Sequence, residues 1–446
     1  MRKVSILLLA ILISFLQISQ ASSTDTITSR LDYCKIVNKH PDAHQKMGWP
    51  RDVDTLPSIG KVKLLIVALD FEDSPASSFK IAELPRRMQL GTIKSFYREV
   101  SNGQFDPEFE IFPFVIRMPK TSEKYGNSVD SDVVTGGEFA THLMIHDALN
   151  QVQSQLDLFQ FSGVIALVTG GHSLSGRVAL ALSEDHDISQ RVPGGIHNEI
   201  VVGDRALDSN GVAPWRMLVH EINHLLGIPD LYLYAPDGYW QGKSPGPFGQ
   251  QGFLRGDSAS DSLAYNRWLN GWIPDKKVLC LANFADGTKN VKLVPQKIVS
   301  GGYELLLIRI SENKVIALET PKNKGFLSRT SPNSLLIYSV DSNIAIGEGP
   351  VRLIPKHDEI SSRPLSPDLP DWQRYQNAAL LRGENIKYGN FVFANRQSKK
   401  SGSHVNLTIL AGRAIRTQSV LCRKGEVQIT FHSYFAECPT DFVLIP

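Results

Sequence analysis

The sequence predicts an α+β protein, in which a first unit built on a mixed sheet carries one buried, polar-faced helix and a second unit consists almost wholly of strands. Three observations lead there. The 446 residues are 42% hydrophobic and 21% charged, enough apolar chain for one large or two ordinary cores. Between residues 61 and 226, short β-branched runs alternate with stretches of helical spacing. From about residue 291 onward the helical spacing stops and strand-length runs follow one another.

The N-terminus reads as a signal peptide over 1–21: Arg2 and Lys3 precede an apolar run over 6–16, and Ser19-Gln20-Ala21 supplies small residues at cleavage offsets. That run is short for a membrane span, which needs about 20 apolar residues, and no later segment is long enough. The expectation is an exported chain, secreted or periplasmic, with no integral membrane segment once mature. Lys plus Arg number 47 and Asp plus Glu 45, a formal charge of +2 without a basic block, so nucleic acid is not an expected partner. Oligomeric state is not legible. Four cysteines, Cys34, Cys280, Cys422 and Cys438, suit an oxidising compartment and two disulfides. Cys422 and Cys438 are close enough to staple a terminal hairpin, which would leave Cys34 for Cys280, although spacing does not fix the connectivity. With no CxxC pair, a metal role for them is not expected.

Residues 22–60 are polar and lack periodicity, as expected of an extended leader or short pro-segment. The first folded unit is expected over 61–282, with strands at 64–69, 105–118, 163–169 and 200–202, and helices at about 81–100, 137–156 and 212–226. The β-rich unit is expected over 283–446, with strands at 291–294, 303–310, 314–319, 334–340, 390–394, 405–410 and 427–432 and a Pro- and Ser-rich loop at 356–370.

Chemistry concentrates in HEINHLLGIPD. His220 and His224 stand one helical turn apart, so both imidazoles leave the same face and can share a small cation. A catalytic zinc takes three protein ligands and keeps a position for water. Gly227 can end the helix and reverse the chain, which would bring the Asp230 carboxylate back as third ligand. Trp215, Met217, Leu218, Val219, Leu225 and Leu226 supply an apolar surround. Glu221, beside a ligand but not itself one, is placed to act as general base on the water and then to protonate a departing amine. Tyr232, Tyr234, Tyr239 and His172 can donate to an oxyanion, and the sequence assigns none of them.

These residues resemble the immune inhibitor A family of secreted bacterial metallopeptidases, within the metzincin-like zincins. Besides HEINHLLGIPDLY, the blocks LLIVALDFED (64–73), FYREVSNGQF (96–105) and NRWLNGWI (266–273) are similar to family blocks in family order. The resemblance runs over about 61–273, and the strands at 315–319 and 335–341 extend it. It implies a zincin-type catalytic domain, zinc held by His220, His224 and Asp230, Glu221 as base, and polypeptide substrates. Calcium occurs in relatives and is a second implied cofactor, although no calcium loop stands out. One departure is visible: such enzymes place a methionine in a turn beneath the metal, whereas this chain has no Met after Met217, and the matching turn falls at 246–252.

The function expected is therefore a zinc-dependent metalloendopeptidase. A zinc hydrolase acting on something other than peptides is a second reading. A non-catalytic zinc-binding surface or binding protein that keeps the fold is a third, and the intact Glu221 counts against it.

Overall fold

A computed structural model describes residues 31–38, 45–76, 78–125, 137–169, 180–183, 193–209, 212–234, 245, 248–252, 262–297, 301–322, 333–355, 378–396, 404–413, 415–435, 438 and 442–445. The expected signal peptide and the loop at 356–370 lie outside them. The chain is mixed α and β, with several sheets and few helices, as the α+β expectation required.

The first half contains β1 (Gly60–Asp70), α1 (Leu84–Arg87), α2 (Leu90–Val100), β2 (Phe105–Arg117), α3 (Gly137–Val152), β3 (Gly163–Val168), β4 (Leu180–Ser183), β5 (Asn198–Gly203), α4 (Ala206–Ser209), α5 (Pro214–Leu225) and α6 (Ala264–Leu269). Its five-stranded sheet runs in the order β2-β1-β3-β5-β4, with every pairing parallel except β4 against β5. The unbroken apolar run of β1 follows from cover on both faces. Leu64 and Ile66 pack with α2 and α5, while Leu65, Val67 and Leu69 pack with Met144, Ile145 and Leu149 of α3.

The helix expected over 81–100 is broken. Gln89 adopts a left-handed conformation (φ 55°) between α1 and α2, and its side-chain oxygen accepts from the Trp215 amide at the start of α5. Ala213, at the N-cap of α5, contributes no side-chain bond of its own, so the break in one helix caps the next.

The second half contains β6 (Val278–Leu281), β7 (Gly287–Leu293), β8 (Leu305–Arg309), β9 (Lys314–Glu319), β10 (Leu336–Asp341), β11 (Val351–Leu353), β12 (Asn385–Tyr388), β13 (Phe391–Asn395), β14 (Val405–Ala411), β15 (Gln418–Lys424), β16 (Val427–Ser433) and β17 (Val443–Leu444). Sheets β11-β10-β9-β8-β6 and β12-β13-β14-β7 face each other across Leu306, Ile308, Ile316, Leu318, Phe393 and Leu407. Alternate residues of the same strands, Leu305, Leu307, Val315 and Ala317, point to the opposite face, where Cys34, Ile36, Met47, Tyr265 and Trp268 cover them.

Residues 31–38 and 45–58 form the strap that provides this cover. Cys34 is bonded to Cys280, Asn313 Nδ2 donates to Val37 O at 2.8 Å, and Tyr265 Oη donates to Met47 O at 2.7 Å. Trp49 packs edge-on against Tyr265 and tilted against Trp268. The second disulfide joins Cys422 of β15 to Cys438, so the pairing favoured by chain proximity occurs together with the one it would leave, Cys34 with Cys280. Two disulfides fit an oxidising compartment. Among the described residues no helix is long and apolar enough to cross a membrane.

Candidate metal centre

The polar face of α5 is buried beside an apolar one. Met217, Leu218, Val219, Ile222 and Leu225 lock the helix into the core above β1, β3 and β5, each stabilising it by about 1.5–3 kcal/mol. His220, Glu221, Asn223 and His224 are buried with them. Such a helix is stable only if each polar group finds a partner.

The helix ends as its glycine required. Gly227 takes φ +80°, its amide bonds His224 O at 2.8 Å, and the Ile228 amide bonds Asn223 O at 2.9 Å, the paired closure of a Schellman motif. The reversal brings two groups back onto the helix. Ile228 O lies 2.8 Å from His224 Nδ1, an acceptor that only an N–H satisfies, so Nδ1 carries a proton and Nε2 is the nitrogen left to face a metal. Asp230 arrives with Oδ1 2.9 Å from His220 Nε2 and 3.3 Å from His224 Nε2.

The two Nε2 atoms are themselves 3.0 Å apart, their rings perpendicular. Three electron-rich atoms converging this closely repel one another unless a cation or a proton lies among them. Ligands at about 2.0–2.1 Å around a tetrahedral ion stand about 3.3 Å from one another, which the observed triangle meets to within about 0.4 Å. The donor set fits a zinc-sized divalent ion, although two imidazoles and a carboxylate also suit other transition metals. Burial alone would raise the Asp230 pKa, but His224 and His220 hold it well below the carboxylate range. Burial alone would lower that of His224, but chiefly Asp230, with a smaller part from Glu221, raises it to about 9. Among the described residues no second group of three His, Cys, Asp or Glu side chains converges in this way.

Beneath the pair lies the turn in which a methionine was missing. Residues 248–252 of it are described, and glutamines form the floor. Gln251 Nε2 donates to His220 O at 3.0 Å and lies 3.4–3.5 Å from both ring nitrogens of His224. Gln251 Oε1 accepts from Asn223 Nδ2 at 3.0 Å, and Asn223 Oδ1 accepts from Tyr97 Oη at 3.0 Å. Gln250 Nε2 donates to Arg216 O at 2.8 Å, and its carbonyl faces His220 Nδ1 at 3.5 Å. Sequence reading passed over Tyr97, Asn223 and both glutamines. The visible signal was two adjacent amides in a turn already aligned with the metal helix.

Of the four oxyanion candidates, Tyr234 Oη donates to Asp230 Oδ2 at 2.7 Å and so is directed at a ligand, while the Tyr232 ring lies roughly parallel to His220 at 6.3 Å. His172 and Tyr239 lie outside the described residues. The far end of α5 is closed by the strap: Leu56 N donates to Leu225 O at 2.8 Å, Arg51 Nη2 to Leu226 O at 2.9 Å and Lys46 N to Gly227 O at 2.9 Å.

No family model matches the chain, and no curated protein matches it. Among solved structures, wild-type OgpA from Akkermansia muciniphila aligns in two crystal forms, both at 8% identity over 69% of this chain. The alignments cover 96% and 94% of that chain with TM-scores of 0.26 and 0.25, a likeness too low to carry an argument about fold or function.

Proposed function

We propose that the chain is an exported zinc-dependent metalloendopeptidase with a zincin-type catalytic domain. The observation that carries this reading is the convergence of His220 Nε2, His224 Nε2 and Asp230 Oδ1 on one buried point, with Glu221 next to the first ligand on the same helix. His220, His224 and Asp230 hold the metal. When bound, zinc polarises a carbonyl and lowers the pKa of a water at its open position to about 7. Glu221 would act as general base on the attacking water and as the proton donor to the leaving amine, a role open to a carboxylate that is buried beside the proposed ligands without being one of them. The hydrogen bond from Nδ1 of His224 to Ile228 O keeps its ring oriented through the cycle.

Strand β4 supports a polypeptide substrate. It is the antiparallel edge of the sheet, lies alongside α5, and offers its outer backbone groups to an extended chain among the described residues. The test is metal content measured together with cleavage of a denatured protein. Glu221→Gln is expected to retain zinc and lose cleavage by at least about a hundredfold, and a chelator should abolish wild-type cleavage. Cleavage unchanged in Glu221→Gln, with zinc bound, overturns this mechanism.

A further inference from the structure

Among the described residues, the β-rich half approaches the candidate metal centre at Tyr234, a residue of the first half. Tyr234 Oη donates to Asp230 Oδ2, which turns the other carboxylate oxygen, Oδ1, toward the two histidines. Tyr234 is 55% exposed, so burial in a core does not fix it. The turn between β10 and β11 does. Tyr234 N donates to Gly347 O at 2.9 Å, and Leu233 forms an antiparallel bridge with Glu348.

Gly347 makes this seat possible in two ways. Its φ is +76°, which side chains other than hydrogen rarely tolerate, and a Cβ there would stand 2.1 Å from Tyr234 Cδ2. The turn is braced from its own side: Asp341 N bonds Pro350 O at 2.9 Å, while Arg352 donates to Glu348 O at 2.9 Å and to Gly349 O at 3.1 Å. A braced turn from the second half thus clamps a tyrosine that orients a carboxylate of the first.

We infer that Tyr234 and Gly347 are positioning residues for the metal, and that the β10–β11 turn of the β-rich half completes the metal site through Asp230. The inference rests on reading His220, His224 and Asp230 as a metal centre. Outer partners of metal ligands typically change affinity by about 10–100-fold. The β-rich half is, in this view, part of the site's construction as well as a neighbour of it.

The test uses the whole chain, with zinc affinity measured by chelator competition and the visible absorption of the cobalt-loaded protein as a signature of ligand geometry. Tyr234→Phe keeps the ring in its seat and removes one oxygen. It is expected to weaken zinc by about 10–100-fold and to shift the cobalt spectrum. Gly347→Ala is expected to do the same by at least about tenfold, and the double variant to be no weaker than the weaker single one, because both act through one contact. Thermal unfolding of the metal-free proteins separates a lost fold from a misplaced ligand, and Tyr234→Phe carries the test should Gly347→Ala fail to fold. Wild-type affinity and spectrum in Tyr234→Phe overturn the inference, as do fully multiplicative losses in the double variant. A wild-type protein that binds neither zinc nor cobalt overturns instead the metal reading on which it rests.

Discussion

Gln251 reaches up from its turn to donate to the main-chain oxygen of His220 at 3.0 Å, an oxygen belonging to the helix that carries both imidazoles. The same amide accepts from Asn223, so a buried donor on the helix depends on it. Gln251→Ala is expected to destabilise the protein by about 1–3 kcal/mol through that stranded donor. Zinc should also bind about 10–100-fold more weakly as the histidines lose their floor. Urea unfolding and chelator competition measure the two effects separately. Gln251→Met fills the space without the bonds and should recover packing but not the full stability.

Tyr97 lies one bond further from the metal. Its hydroxyl is fully buried, which raises its pKa well above the usual tyrosine value, and it is shared between Asn223 Oδ1 and Val219 O. Tyr97→Phe is expected to cost about 0.5–1.5 kcal/mol in chemical unfolding and to leave zinc stoichiometry at wild-type level.

The metal-free protein should hold a proton where the ion belongs. Burial works against it, but the neighbouring carboxylates raise the His224 pKa to about 9, so at pH 7 the site is protonated. Metal loading then displaces a proton, and apparent affinity should fall about tenfold for each pH unit below that value. Calorimetric titrations in buffers of different ionisation heat read the proton release directly. For the metal-free fold the sign is opposite: a raised pKa stabilises fully below the unfolded value of about 6.5. That contribution is lost as pH rises toward 9.

Arg51 closes the exit of the metal helix. Its guanidinium donates to Leu226 O and to Ser58 Oγ, and burial lowers its pKa without abolishing its charge. Arg51→Ala leaves a helix-end carbonyl short of a partner and is expected to cost about 1–3 kcal/mol in thermal unfolding of the metal-free protein. Arg51→Lys should recover little, because one ammonium cannot span both acceptors.

How much of this was legible follows from which interactions are local. Periodicity found β1, β3, β9 and β14 to within a few residues because each is covered on at least one face by apolar groups that repeat along the strand. It missed β4, β6, β11, β12 and β17, each of four residues or fewer, and the largely exposed β15, and joined α1 to α2 because a left-handed Gln89 leaves no mark in apolar spacing. The expected ligands came together because the helix period, the cap glycine and the carboxylate all lie within eleven residues of chain. The glutamine floor, the Gly347 seat and the strap join residues far apart in sequence, and no local pattern signals a partner so distant.

The bond between Cys34 and Cys280 encloses a ring of chain that holds every strand and helix from β1 to α6, its ends 246 positions apart in sequence. A single nick inside that ring would leave both fragments covalently tethered. The chain nicked there would then migrate as one species until reduced and as two afterwards. The proposed ligands and base, all inside the ring, would stay attached to the β-rich half that seats Tyr234.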